Sequence, residues 1–147
     1  MVRWAELKDA HLIASLELRS AEYENRAQPF TLTESQFTSL WMDRLKSDEF
    51  KTMIAYGAKC VYGFLTFKKD IRLGKVLALY VDPPFMRLGV GKVLLETAFE
   101  MVKLKGGRFI EVDVERLNNG AITFYESLLF KKVSVKLDHL IVMRKEI

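Results

Sequence analysis

The chain has 147 residues, 50% of them apolar and 29% charged, with a net charge of +4 and a single cysteine. This is enough chain for one domain with a real core. The apolar runs fall far short of the roughly 18 residues that a membrane span needs, and one cysteine excludes an internal disulfide. The pI of 9.2 invites a nucleic-acid reading, but the lysines are scattered singly or in pairs, such as Lys68-Lys69 and Lys131-Lys132, among 19 acidic residues. No block of five or more cations exists, so a solvated surface is the better reading. Met1–Glu6 lacks a signal peptide's apolar core, and a cytoplasmic protein is expected.

In chain order, residues 2–7 read as a short first strand. Asp9 can cap a helix whose apolar face carries Leu12, Ile13 and Leu16. Residues 22–31 lack periodicity and read as a loop. Thr33-x-x-Gln36 is a capping box, with Leu32 and Phe37 placed as a hydrophobic staple. The helix it opens has Phe37, Leu40, Trp41 and Leu45 as its buried stripe. Strands are predicted over 51–56, 60–67 and 75–81. The last two are apolar at nearly every position, which predicts burial on both sheet faces. Cys60 opens its strand as a small core residue rather than a nucleophile.

Residues 82–92, Asp-Pro-Pro-Phe-Met-Arg-Leu-Gly-Val-Gly-Lys, join the third of these strands to an amphipathic helix beginning at Val90. Gly89 and Gly91 allow close backbone approach, and the first amides of the helix lack internal partners. Such a loop favours a phosphate. It is not a dinucleotide fingerprint, because leucine stands at the third glycine position. Nor is it an ATP loop, because Met86 occupies the first glycine position and Val93 follows Lys92. The helix is stopped by Gly106-Gly107. Phe109–Glu115 then alternates strictly, with Ile110, Val112 and Val114 opposed to Glu111, Asp113 and Glu115. Asn118 or Asn119 caps a helix reaching about Leu129, and 133–137 and 140–144 finish as strands. The strand-helix-strand passage from 75 to 115 implies a right-handed crossover and a parallel pair. The class is α+β, a mixed sheet with helices on both faces.

Two segments carry a family resemblance. Residues 86–91 resemble the acetyl-CoA loop of the GNAT acetyltransferases, Gln/Arg-x-x-Gly-x-Gly/Ala, with Met86 in place of the Gln or Arg. Residues 112–130 resemble that family's second signature: Asn118, Ala121, Ile122, Tyr125, Glu126 and Phe130 fall at its spacings, with Leu129 in place of the usual glycine. The resemblance implies a single acetyltransferase domain over 1–147. Its fold would be a mixed sheet of about seven strands with about four helices on both faces, splayed at two parallel strands.

The resemblance also implies acetyl-CoA as cosubstrate and direct transfer to an amine. Leu79 and Val81 would pair with the pantetheine arm. Met86, Arg87, Leu88, Gly89, Val90, Gly91 and Lys92 would hold the pyrophosphate, and Asn118 would reach the pantetheine. Tyr125 would return a proton to the departing thiolate. Asp113 matches the acid of the family's N-terminal acetylating members, which include ribosomal-protein alanine acetyltransferases. It is therefore the first candidate base, with Glu111 and Glu115 beside it on the strand.

The residues by themselves also fit plainer roles. Glu111, Asp113 and Glu115 suit an exposed strand face, Tyr125 a core aromatic, and Asn118 a simple helix cap. Glu17, Glu22, Tyr23, Glu24 and Phe30 suit either an acceptor site or a wet loop. His11 and His139 lie outside both signatures, and no metal is expected. A non-catalytic acyl-CoA-binding module and a basic nucleic-acid-binding domain are the alternative functions. The expected partners are acetyl-CoA and an amine acceptor, without nucleic acid or membrane, in a monomer or homodimer.

Overall fold

A computed structural model describes residues 1–24 and 32–147. The described elements run β1 (Val2–Trp4), α1 (Ala10–Tyr23), α2 (Glu34–Lys46), β2 (Phe50–Tyr56), β3 (Val61–Lys68) and β4 (Lys75–Val81). They continue with α3 (Val90–Leu104), β5 (Phe109–Glu115), α4 (Asn119–Ser127), β6 (Lys131–Lys136) and β7 (Leu140–Glu146). The strands form one seven-stranded sheet in the order β1-β2-β3-β4-β5-β7-β6. Every pairing is antiparallel except β4 with β5.

The helices start where local chemistry predicts. Thr33 Oγ1 accepts from the Gln36 amide at 3.1 Å, and Gln36 Oε1 accepts from the Thr33 amide at 2.9 Å. Asp9 behaves differently from expectation. It precedes α1 but makes no side-chain cap bond. Its carboxylate instead takes two bonds from Arg3, both at 2.9 Å, and one from the Glu6 amide at 2.7 Å. Ile13 and Leu16 are buried as expected, whereas Leu12 and Leu40 are exposed. The predicted loop over 22–31 is shortened by α1, which runs to Tyr23. Phe30 lies outside the described residues.

Two cores sandwich the sheet. One packs α1 and α2 on the sheet through Ile13, Leu16, Phe37, Trp41, Ile54 and Phe64. The other lies under α3 and α4, with Leu65, Phe67, Leu94, Ala98, Ile110, Val112, Tyr125 and Met143.

The expectation of two-sided burial holds for β3 and fails for β4. Leu77 is exposed, and Leu79, Tyr80 and Val81 are half-buried. The reason is geometric. β4 and β5 pair only at Lys75 with Glu111 and Val76 with Val112. Beyond Val76 the strands diverge, and Leu79, Tyr80 and Val81 line the gap. No helix among the described residues is long and apolar enough to cross a membrane.

Candidate active site

The gap between β4 and β5 opens into a cavity of about 460 Å³. The free edge of β4 forms one wall. The Asp82 amide donates to the Tyr62 carbonyl of β3 at 2.8 Å. Backbone groups alternate sides along a strand, so Tyr80 also faces β3, while Leu79 and Val81 direct their amides and carbonyls into the cavity. A strand-like ligand can pair there.

The floor is the turn into α3. Arg87 and Gly89 both adopt left-handed backbone, with φ of 65° and 85°. Gly89 is the N-cap, and α3 has no side-chain cap bond. The Val93 amide donates to the Gly89 carbonyl at 3.0 Å, which leaves the amides of Val90, Gly91 and Lys92 without helical acceptors. A Cβ on Gly89 would have no atom within 4 Å, so the space there is open, and Gly89 itself lines the cavity. A Cβ on Gly91 would stand 3.1 Å from Phe124 Cζ, so glycine here lets α4 close against α3. These converging amides at a helix N-terminus suit a pyrophosphate. The Arg87 guanidinium has no ion pair among the described residues, whereas Lys92 reaches Glu96 at 3.7 Å.

α4 supplies the opposite wall. Asn118 Oδ1 accepts from the Ala121 amide at 3.1 Å, capping the helix and leaving the Asn118 amide nitrogen able to donate. Tyr125 lies at the cavity's inner end, its ring centroid 5.4 Å from both Phe124 and Phe130. Burial pushes its phenol far above the ordinary value, and the neighbouring Tyr80 and Glu24 push it in the same direction. The group therefore keeps its proton throughout the neutral range.

Asp113 sits on β5 just past the point where the strands part. Lys75 donates to it at 2.6 Å and Lys136 at 3.3 Å. Burial opposes ionisation of this carboxyl, but the hydrogen bonds and charges of the two lysines outweigh it and hold the carboxyl below its ordinary value. Glu111 takes Lys75 at 3.2 Å and Arg144 at 2.7 Å. Among the described residues Glu115 approaches only His139, at 3.9 Å. The acidic strand face is thus a half-buried ion network at Glu111 and Asp113, and solvated at Glu115.

The cavity brings together Leu79, Val81, Met86, Arg87, Gly89, Val90, Gly91, Lys92, Asn118 and Tyr125, and also Tyr23 and Glu24. Leu88 and Asp113 are not among its lining residues: Leu88 projects into solvent, and Asp113 sits in the ion network with Lys75 and Lys136. Sequence reasoning missed Ser20, Tyr80, Gly120 and Phe124, which also line it. Ser20 carries no local signal, since only the packing of α1 over β4 brings it there. On the α1–α2 side a second hollow of about 250 Å³ is lined by Glu17, Trp41, Arg44, Leu77, Ala78 and Tyr80, among others. Tyr80 walls both spaces.

Residues 12–130 match the family model described as the acetyltransferase (GNAT) family. The chain belongs to the GNAT acetyltransferase family. Acetyl-CoA is that family's cosubstrate. An uncharacterized N-acetyltransferase of Methanocaldococcus jannaschii is 36% identical over 63 residues, 43% of this chain and 28% of the relative. The ribosomal protein bS18-alanine N-acetyltransferase of Salmonella typhimurium is 36% identical over 56 residues, 38% of each chain. The matched stretches thus span well under half of these curated relatives. The fold is shared over the full length with PaiA N-acetyltransferase from Thermoplasma acidophilum, solved in complex with coenzyme A. That structure has a TM-score of 0.85 at 20% identity, covering 100% of this chain and 98% of the other. The Escherichia coli ribosomal-protein-S18-alanine N-acetyltransferase has a TM-score of 0.74 at 22% identity, covering 100% and 93%.

Proposed function

We propose that this protein is a single-domain N-acetyltransferase over 1–147, moving an acetyl group from acetyl-CoA to a primary amine by direct attack. One observation carries the reading: a strand edge, a set of free helix amides and a buried phenol share one cavity. The pantetheine arm pairs with Leu79 and Val81 as a substitute strand. The pyrophosphate rests on the turn from Met86 to Lys92, with Arg87 and Lys92 adding charge and Leu88 contributing backbone only. Asn118 donates to the pantetheine.

The chemistry follows from those placements. The amine must be neutral to attack the thioester carbon. An amide of the Leu79–Val81 stretch faces the oxygen as it becomes negative. When the carbon–sulfur bond breaks, Tyr125 gives its proton to the thiolate. Asp113 takes the amine proton through a water. Its lysine partners keep it ionised, so it is always in the accepting form, but they make it a weak base that passes the proton on.

The names of the bS18-alanine relatives support a protein N-terminus as acceptor, and a small amine is the other acceptor class. We place the protein in the cytoplasm, as a monomer or homodimer without a nucleic-acid partner. The test is release of free thiol from acetyl-CoA in the presence of N-terminal peptides and small amines, with amide exchange across 87–92 followed on adding CoA. Protection of those amides with amine-dependent thiol release is expected. CoA binding with no release for any amine would favour a non-catalytic acyl-CoA-binding module, and no protection would overturn the site.

A further inference from the structure

An acyl-CoA arm bound as proposed above has a direction along β4. Its pyrophosphate rests on the turn that follows Val81, and the pantetheine meets Val81 first and then Leu79. The arm therefore runs toward lower residue numbers, and its acyl end points at Ala78 and Leu77. Both residues line the hollow of about 250 Å³ on the α1–α2 side. Tyr80 walls that hollow and the acyl cavity together. An amine that attacks the thioester has this hollow beside it. A bulge shapes the hollow's open wall. β3 and β4 pair Thr66 with Ala78 and then Phe67 with Val76, so Leu77 is an extra residue between two paired ones. In a regular strand Leu77 and Ala78 would face opposite sides. Here both line one space. Bulges re-aim side chains in this way next to functional sites. Leu77 is 46% exposed, so an incoming group can reach it.

The polar groups of the hollow are already engaged. The Thr52 and Thr66 hydroxyls share a hydrogen bond at 2.9 Å. Trp41 Nε1 donates to the Glu17 carboxylate at 2.9 Å, and Arg44 offsets its charge at 3.6 Å. A charged ligand would have to displace one of these contacts. What remains for a ligand is apolar surface from Phe50, Leu77, Ala78 and the Tyr80 ring, all at least partly exposed. The space is several times the roughly 30 Å³ that one molecule takes in liquid water, so a single methyl group would leave it nearly empty. Ala78 and Leu77 lie one and two residues beyond Leu79, about 3–7 Å along the strand. That is the reach of a leucine, methionine or phenylalanine side chain from its own amine.

We infer that this hollow receives the side chain of the acceptor, and that the substrate is a primary amine with a bulky apolar group on the carbon next to nitrogen, such as an N-terminal leucine, methionine or phenylalanine. The inference rests on the acyl-transfer reading above and narrows its acceptor. An alanine methyl is too short to touch Leu77 or Phe50, and a lysine or glutamate side chain meets a wall whose charges are already paired.

The test is thiol release from acetyl-CoA with two acceptor series: peptides that differ only in their first residue, and the amides of the same free amino acids. Leucine, methionine and phenylalanine acceptors should exceed alanine in kcat/KM by roughly tenfold or more. The order should hold in whichever series is turned over, and that series tells a protein N-terminus from a small amine. Leu77→Ser, at an exposed position, should lower the preference for leucine over alanine about fourfold, the worth of one buried methylene, with CoA affinity unchanged in calorimetry. Alanine or glycine acceptors used as well as leucine overturn the inference, and so do lysine or glutamate acceptors used better. An unaltered preference in Leu77→Ser overturns it as well. If no acceptor releases thiol, the acyl-transfer reading itself has failed and the inference falls with it.

Discussion

The Arg19 guanidinium meets the Asp82 carboxylate in two parallel hydrogen bonds, Nε to Oδ1 at 2.9 Å and Nη2 to Oδ2 at 2.8 Å. Arg19 lies on α1, one residue before Ser20. Asp82 lies between β4 and the turn that leads to α3. The pair therefore ties the helix over the cavity to the segment that carries its free amides. Asp82 is 5% exposed, so removing Arg19 leaves a buried carboxylate without its cation. Arg19→Ala should lower unfolding free energy by about 2 kcal/mol, a value held down because the guanidinium is half exposed. Denaturant titration reads this, and CoA affinity should fall with it. A variant as stable as the wild type would show that the pair is only a surface ornament of α1.

Gly89→Val places a branched side chain in the open space before α3 and strains a left-handed position. Gly91→Val drives its Cβ against Phe124. Each should abolish measurable CoA binding in calorimetry. Met86→Gln, which restores the polar side chain common at this place in the family signature, should bind CoA at least as well as the wild type. Unchanged affinity in both glycine variants removes the pyrophosphate from this turn.

Tyr125→Phe keeps the ring between Phe124 and Phe130 and removes the proton. Loss of a general acid costs roughly 10²–10⁴-fold in rate. kcat should fall within that range while CoA affinity holds. Because burial raises the phenol, the wild-type rate should show no alkaline fall from Tyr125 ionising below about pH 10. A kcat within about twofold of wild type would make Tyr125 a packing residue.

Asp113→Asn keeps the shape and removes the charge. Activity should drop at neutral pH and return at high pH, where the amine is neutral without help, whereas Glu111→Gln and Glu115→Gln leave the profile in place. The same substitution has a signature in stability. The folded carboxyl is held below its unfolded value. It therefore stabilises the protein at pH above the ordinary carboxylate range, and that contribution is lost as the pH falls through the lowered value. Acid unfolding below about pH 4 should be shallower in Asp113→Asn. A pH–rate shift in Glu115→Gln instead would move the base two residues along β5.

Leu129 holds φ of 72°, the left-handed region, as the Phe130 amide turns back to the Tyr125 carbonyl at 3.0 Å. A branched side chain there costs roughly 1–2 kcal/mol, part of which glycine gives back through the greater freedom of its unfolded chain. Leu129→Gly should raise unfolding free energy by up to about 1 kcal/mol with unaltered kcat. Destabilisation would show that Leu129 packs more than its exposure indicates.

Much of this was legible where the signal is local. The Thr33–Gln36 capping box, the alternation over Phe109–Glu115 and the apolar run of Lys75–Val81 each depend on a few neighbouring residues, and their bounds match the structure. What escaped was set by distant partners. Leu77 is apolar and exposed where the register of β3 and β4 shifts past it, and no feature within β4 announces that. Lys75 and Lys136 are far from Asp113 in sequence, so the ion network around it could not be read from the strand. Asp9 was a plausible cap until Arg3 claimed its carboxylate. Leu88 sits inside the signature yet points away from the cavity, because a loop motif specifies backbone shape and not the direction of each side chain.

The brief parallel joint between β4 and β5 bears on how the chain acquires its shape. β2, β3 and β4 form a meander with short turns, and β6 with β7 a hairpin, so their closures enclose few residues. The parallel joint bridges 36 residues for only two residue pairs. Loop-closure entropy must be met before such a contact is rewarded, and two pairs repay little of it. α3 does most of the joining, because Leu94, Ala98 and Val102 bury against residues of both sides, Leu65 and Phe67 from one and Ile110 and Val112 from the other. The two half-sheets are thus held as pages are held by a spine, and the free margins can stand apart without tearing the binding.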